Sequence, residues 1–79
     1  MILSKIQQDK IKNHFKLSNR EIEIVTLFFN GIDKNKEISK MLNVYERTTK
    51  GYVQRIFLKT GARTKLRVVV KCLSIFELT

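Results

Sequence analysis

Residues 48–57 read Thr48-Thr49-Lys50-Gly51-Tyr52-Val53-Gln54-Arg55-Ile56-Phe57. At about 100° per residue, Thr49, Val53, Ile56 and Phe57 fall within one narrow stripe, while Arg47, Lys50, Gly51 and Gln54 cluster on the opposite side. One face is made to pack, and the other is left to touch a partner. Lysine and glutamine carry hydrogen-bonding groups suited to base edges, and glycine lets a backbone come close to whatever it meets. A merely solvated helix face is the alternative for these residues taken alone. Their neighbours decide.

Just upstream, the spacing predicts a short helix from Lys34 to Leu42, with Asp33 as its candidate cap. Ile38, Met41 and Leu42 face inward and Lys34, Lys36 and Lys40 face out, while Ser39 is small enough to let another helix cross closely. Asn43 suits the left-handed conformation that stops this helix. Val44-Tyr45-Glu46 then leads into a helix over 46–59. Two helices joined by so short a turn, the second basic on its outer face, make a helix-turn-helix.

Further upstream, Ser18-Asn19-Arg20-Glu21 matches a capping box, in which the Ser hydroxyl and the Glu carboxylate each accept from the other residue's backbone amide. Ile22, Ile24, Val25, Leu27, Phe28 and Phe29 cover well over half of the helix that follows, which places it at the centre of the core. Gly31 suits the left-handed position just past its end. Downstream, Thr60-Gly61 closes the helix over 46–59, and Thr64 caps another from about Lys65 to Phe76. Val68, Val69, Val70, Cys72, Leu73, Ile75 and Phe76 cover more than one face of that last helix, so a second stripe is left needing a partner. A strand is the alternative for its valine run, disfavoured by the helical spacing beyond Lys71. In residues 1–16, Ile2, Leu3 and Ile6 share a face but Ile11 and Phe15 fall on another, which fits a short helix or an arm. The expected fold is all-α: a compact four-helix domain over 17–79 containing the helix-turn-helix, preceded by that arm or short helix.

Seventy-nine residues make one small domain whose core is marginal by size, so oligomerisation is expected to supply some burial. The net charge of +9 fits a polyanionic partner, and ten Lys or Arg against two acids lie between Lys34 and Arg67. Nucleic acid, an anionic membrane surface and an acidic protein are the partners to weigh, in that order. A basic face split among several helices disfavours the membrane. The single Cys72 excludes an internal disulfide and reads as a small buried hydrophobe. His14 has no second His or Cys near it, and no Gly-rich phosphate loop appears, so neither catalysis, nor a metal, nor a cofactor is expected. No apolar run is long enough to span a bilayer, and Met1-Ile2-Leu3-Ser4-Lys5 does not begin a signal peptide, so a cytoplasmic location is expected.

With these positions in place, Leu17 to about Val70 resembles the DNA-binding domain of LuxR/GerE-type bacterial transcription regulators, the module that also ends many two-component response regulators. The resemblance rests on Leu17-Ser18, Arg20-Glu21, Glu23-Ile24-Val25 and Leu27, then Gly31, Lys36-Glu37-Ile38-Ser39, Leu42 and Val44, then Thr48, Lys50, Lys59, Gly61 and Ala62. It implies a sequence-specific regulator of double-stranded DNA that inserts the helix over 46–59 into the major groove. By positional match Lys50, Gly51 and Gln54 face the bases, and Lys36, Arg47, Thr48, Tyr52, Arg55 and Lys59 face phosphates. It also implies a homodimer through the last helix, with Val69, Cys72, Leu73 and Phe76 expected at the interface. The alternative is a protein-interaction module of the same fold, which pairs with another regulator or with RNA polymerase without reading DNA.

The chain departs from the pattern at four positions in or beside the helix over 46–59. Tyr45 stands where a capping Ser or Thr is usual, Thr49 where Val is usual, Thr60 where a core Leu is expected, and Leu58 where a polar residue is more common. The input domain that usually precedes the motif is also missing, so the chain is either a stand-alone regulator or an excised domain.

Overall fold

The computed structural model describes residues 2–77, in the order α1 (Lys5–Phe15), α2 (Asn19–Phe29), α3 (Asn35–Leu42), α4 (Glu46–Thr60) and α5 (Lys65–Glu77). The all-α expectation holds, and the alternative of a strand at 68–70 is excluded because Val68, Val69 and Val70 lie inside α5. The arm-or-helix question at the N-terminus resolves as a helix of 11 residues. Ser4 caps it: its hydroxyl accepts from the Gln7 amide at 3.1 Å, and the Gln7 side chain accepts from the Ser4 amide at 2.9 Å. Ile2 and Ile6 stay exposed, whereas Leu3 and Ile11 are buried in the common core. The face expected to hold Ile2, Leu3 and Ile6 together is therefore split, with only Leu3 inward, while on the other face Ile11 is buried and Phe15 half-buried.

The capping box read at Ser18 is present, with the Ser18 hydroxyl accepting from the Glu21 amide at 3.2 Å and Glu21 accepting from the Ser18 amide at 2.8 Å. From this start α2 runs through the middle of the molecule, packed by α1, α4 and α5. Ile24 and Val25 are fully enclosed, and Ile11, Ile38, Ile56, Val68 and Cys72, contributed by the other four helices, complete the same buried core. Truncating such an enclosed isoleucine to alanine typically costs about 2–5 kcal/mol, since both transfer energy and packing are lost. Gly31, at φ 82°, holds the left-handed turn beyond α2.

One cap was misread. Asp33 does not cap α3; Lys34 occupies the N-cap position and no side chain bonds there. The helix starts one residue later than expected, which leaves Asp33 outside the cap position, and α5 ties this entry down. Lys65 donates to the Asp33 carbonyl and, at 2.7 Å, to Asn35 Oδ1, which sets the path of the chain into α3 by tertiary contact. The end of α3 follows the reading, with Asn43 at φ 56°. Thr64 also caps as expected, accepting from the Arg67 amide at 3.1 Å.

Candidate nucleic-acid interface

On α4 the buried residues are Thr49, Val53, Ile56 and Thr60. Their spacing of four, three and four residues draws one line along the helix, and Arg47, Gly51, Gln54 and Leu58 repeat that spacing on the line diametrically opposite. The inner line is locked by α3. Ser39 and Thr49, both buried, bring their hydroxyls to 2.8 Å, and Ser39 also donates to the Asn35 carbonyl at 2.6 Å. The small residue expected to permit a close crossing thus also bonds across it.

The ends of α4 are set differently. Tyr45 holds the N-cap position without a side-chain hydrogen bond, as its departure from Ser or Thr implied, and its ring is exposed. At the other end Thr60 fits a buried site in place of the expected leucine because its hydroxyl is satisfied: it donates to the Ile56 carbonyl at 2.8 Å and accepts from the Ala62 amide at 3.3 Å. Gly61 at φ 74° then turns the chain, and Lys71 donates to the Thr60 carbonyl at 3.1 Å. The final turn is intact, and Leu58 is left 83% exposed on the outer line.

Most of the expected DNA-facing residues are displayed together. Arg47, Thr48, Lys50, Gln54 and Arg55 are exposed on α4, Gly51 is half-buried beside them, and Lys36 is exposed on α3. Arg47, Lys50 and Lys36 have no ion-pair partner within the described residues. Tyr52 is half-buried with the Arg55 guanidinium 5.2 Å from its ring centroid, a cation–π contact that gives the arginine a preferred direction. A β-carbon placed on Gly51 would meet only Arg55 Nη1, at 3.9 Å, so packing within the chain does not require glycine there.

Lys59, also expected at a phosphate, is exposed but has a partner within the chain. It donates to Glu21 at 2.6 Å, and that carboxylate is only 2% exposed. Burial by itself would raise the Glu21 pKa, but the hydrogen bonds from Lys59 and from the Ser18 amide, with the Lys59 charge, hold the carboxyl below its ordinary value. The pair joins the start of α2 to the end of α4, with the carboxylate buried and the lysine at the surface.

Of Val69, Cys72, Leu73 and Phe76, expected at a dimer face, Cys72 is not available to a partner. Cys72 lies at 0% exposure in the core of its own protomer, on the buried line Val68, Cys72 and Ile75 of α5. Burial pushes its thiol up to about 12. Leu73 is exposed, Val69 and Phe76 are half-buried at the flank, and the residues furthest from the core beside Leu73 are Leu66 and Val70, at 75% and 45% exposure. A run of apolar residues on all sides of a helix does not by itself say which line faces inward. The spacing Leu66, Val70, Leu73, set opposite Val68, Cys72, Ile75, was the available signal.

A helix-turn-helix whose second helix exposes Arg47, Lys50 and Arg55 on the side away from the core is a DNA-binding arrangement. The family model for bacterial regulatory proteins of the luxR type, GerE, matches residues 16–72. The chain belongs to the luxR family. The luxR-family match begins at the residue after α1 and includes the whole helix-turn-helix, so the family is that of DNA-binding transcription regulators and α1 lies outside the matched segment. No curated protein and no solved structure shows a match. Among the described residues, no group of three or more His, Cys, Asp or Glu is placed to hold a metal ion, and no helix is long and apolar enough to cross a membrane.

Proposed function

We propose that this luxR-family chain is a sequence-specific regulator of transcription that binds double-stranded DNA as a homodimer in the bacterial cytoplasm, with residues 17–79 as the DNA-binding unit. The observation that carries this reading is the pair of opposed lines on α4: one side is locked to the core, and the other offers Arg47, Gly51 and Gln54 with Lys50 beside them. In this reading α4 enters the major groove, where an α-helix fits and every base pair presents a distinct donor and acceptor pattern. Lys50 donates to guanine acceptors, Gln54 pairs with an adenine edge, and Gly51 admits close approach of the backbone. Lys36, Arg47, Thr48, Tyr52 and Arg55 hold phosphates on either side, with Arg55 aimed by the Tyr52 ring. The Leu66, Val70 and Leu73 line of α5, flanked by Val69 and Phe76, pairs two copies so that a two-fold operator is read.

Selection of bound sites from random duplexes tests this directly. A two-fold site should emerge, and affinity should fall steeply with salt, by about 0.9 in the log–log slope for each phosphate neutralised. Changing Lys50 and Gln54 together to Ala should flatten the sequence preference while leaving salt-sensitive binding. If no duplex is retarded at low salt, or preference is unchanged in that variant, the reading is wrong. The alternative, a module that pairs with another regulator or with RNA polymerase, requires that neutralising Lys50 leave function intact.

A further inference from the structure

The outer line of α4 does not end at Gln54. Four residues on, one turn further along the same line, stands Leu58, 83% exposed. Gln54 and Leu58 line one open depression with Phe57, Gly61, Ala62 and Arg63, a largely apolar floor whose only charge is a cation. An apolar partner surface carried on a polyanion meets both properties. In the DNA major groove that surface is the C5 methyl of thymine, the one apolar group among the base edges there.

We propose that Leu58 is a specificity-determining residue that contacts the methyl of a thymine about two base pairs from the base faced by Gln54. The offset comes from geometry. Four residues advance an α-helix by about 6 Å, which along a groove oblique to the duplex axis spans up to about two steps of about 3.4 Å each. The inference rests on the proposed placement of α4 in the major groove and extends it to the helix's last full turn. Leu58 makes no contribution to the core, so its exposure has no compensating role inside the protomer.

The experiment uses the full chain and the site obtained by selection. Each thymine of that site is replaced singly by deoxyuridine, which removes the methyl and leaves base pairing unchanged. For the unaltered protein, one such replacement, about two base pairs from the position whose identity depends on Gln54, should weaken binding about fourfold, the worth of one buried methyl-sized group. Leu58→Ala should bind thymine and deoxyuridine equally at that position, and Leu58→Met should restore the difference in part. If no replacement matters, or Leu58→Ala keeps the full difference, Leu58 does not read a methyl, while sequence-specific binding lost with Lys50 and Gln54 would still support groove insertion. If no duplex is bound, both readings fall together.

Discussion

The Ser39 and Thr49 hydroxyls, 2.8 Å apart in a buried contact, join the two helices of the helix-turn-helix. Ser39 has one proton, and its 2.6 Å contact with the Asn35 carbonyl uses it, so Thr49 is the donor between the hydroxyls. The pair is therefore unequal. Thr49→Val leaves Ser39 bonded to Asn35 and keeps the side-chain shape, so it should cost under about 1 kcal/mol. Ser39→Ala strands the Thr49 hydroxyl at a site with no exposure and should cost about 1–3 kcal/mol. The double variant should recover much of that loss. Urea midpoints for the four proteins of this cycle check the asymmetry, and equal losses for the two single variants would refute the assigned proton direction.

Glu21 and Lys59 give a pH signature. The folded carboxyl is held below its ordinary value of 4.5, so its contribution to stability is present above that value and is lost as pH falls through the lower, folded one. Glu21→Gln should be less stable near neutrality, and the gap to the unaltered protein should close in acid. Lys59→Met leaves a buried charge without its cation, and should cost about 3 kcal/mol at neutral pH. Thermal unfolding followed from pH 7 to pH 3 separates these outcomes. A gap that persists unchanged in acid would mean that the pairing is not what stabilises the fold.

Gly51 separates the needs of the fold from those of the partner. The space around it accepts a β-carbon, and alanine favours a helix interior by about 0.5–1 kcal/mol over glycine. Gly51→Ala should therefore raise the unfolding temperature. If the backbone at this point approaches DNA closely, the same change should weaken operator binding by about tenfold, or 1.4 kcal/mol. A variant both more stable and equally tight in binding would remove Gly51 from the interface.

α1 lies outside the family match yet shares the core. Ser4→Ala should cost about 1 kcal/mol through loss of its cap, and Ile11→Ala about 2–5 kcal/mol because Ile11 is fully enclosed. Both losses should appear in a single cooperative transition. An unchanged denaturation midpoint for Ile11→Ala would make α1 an appendage.

How much of this was legible in the sequence follows from the range of each interaction. The Ser18 and Thr64 caps, the Gly31, Asn43 and Gly61 turns and the inner line of α4 are encoded within a few residues of one another, and they were readable. The Ser4-Lys5-Ile6-Gln7 box carried an equally local signal that was overlooked, because the apolar positions around it do not keep to one face. What sequence could not supply was the long-range ties. Lys65 reaching Asp33 and Asn35, and Lys59 reaching Glu21, link residues thirty or more positions apart. The hydroxyl at Thr49 was visible as a departure from the family, but its partner Ser39 was visible only as a small residue.

Cys72 tests which surface of α5 faces the protomer's own core. Burial raises its thiol to about 12, so at pH 8 thiolate is scarce and the side chain is shielded from reagents. Labelling by a thiol reagent should be slow in the folded protein and fast in denaturant, at a rate that tracks opening of the fold. If instead a dimer partner were what shielded Cys72, changing Leu66 and Val70 to Asp would expose it along with the interface. Both residues are well exposed on the opposite line of α5, so that double variant should dissociate dimers without loosening the core. The expected result is a monomer by sedimentation whose Cys72 labels as slowly as before. Rapid labelling of a still-folded monomer would return Cys72 to the interface and overturn the placement of the pairing face on Leu66, Val70 and Leu73.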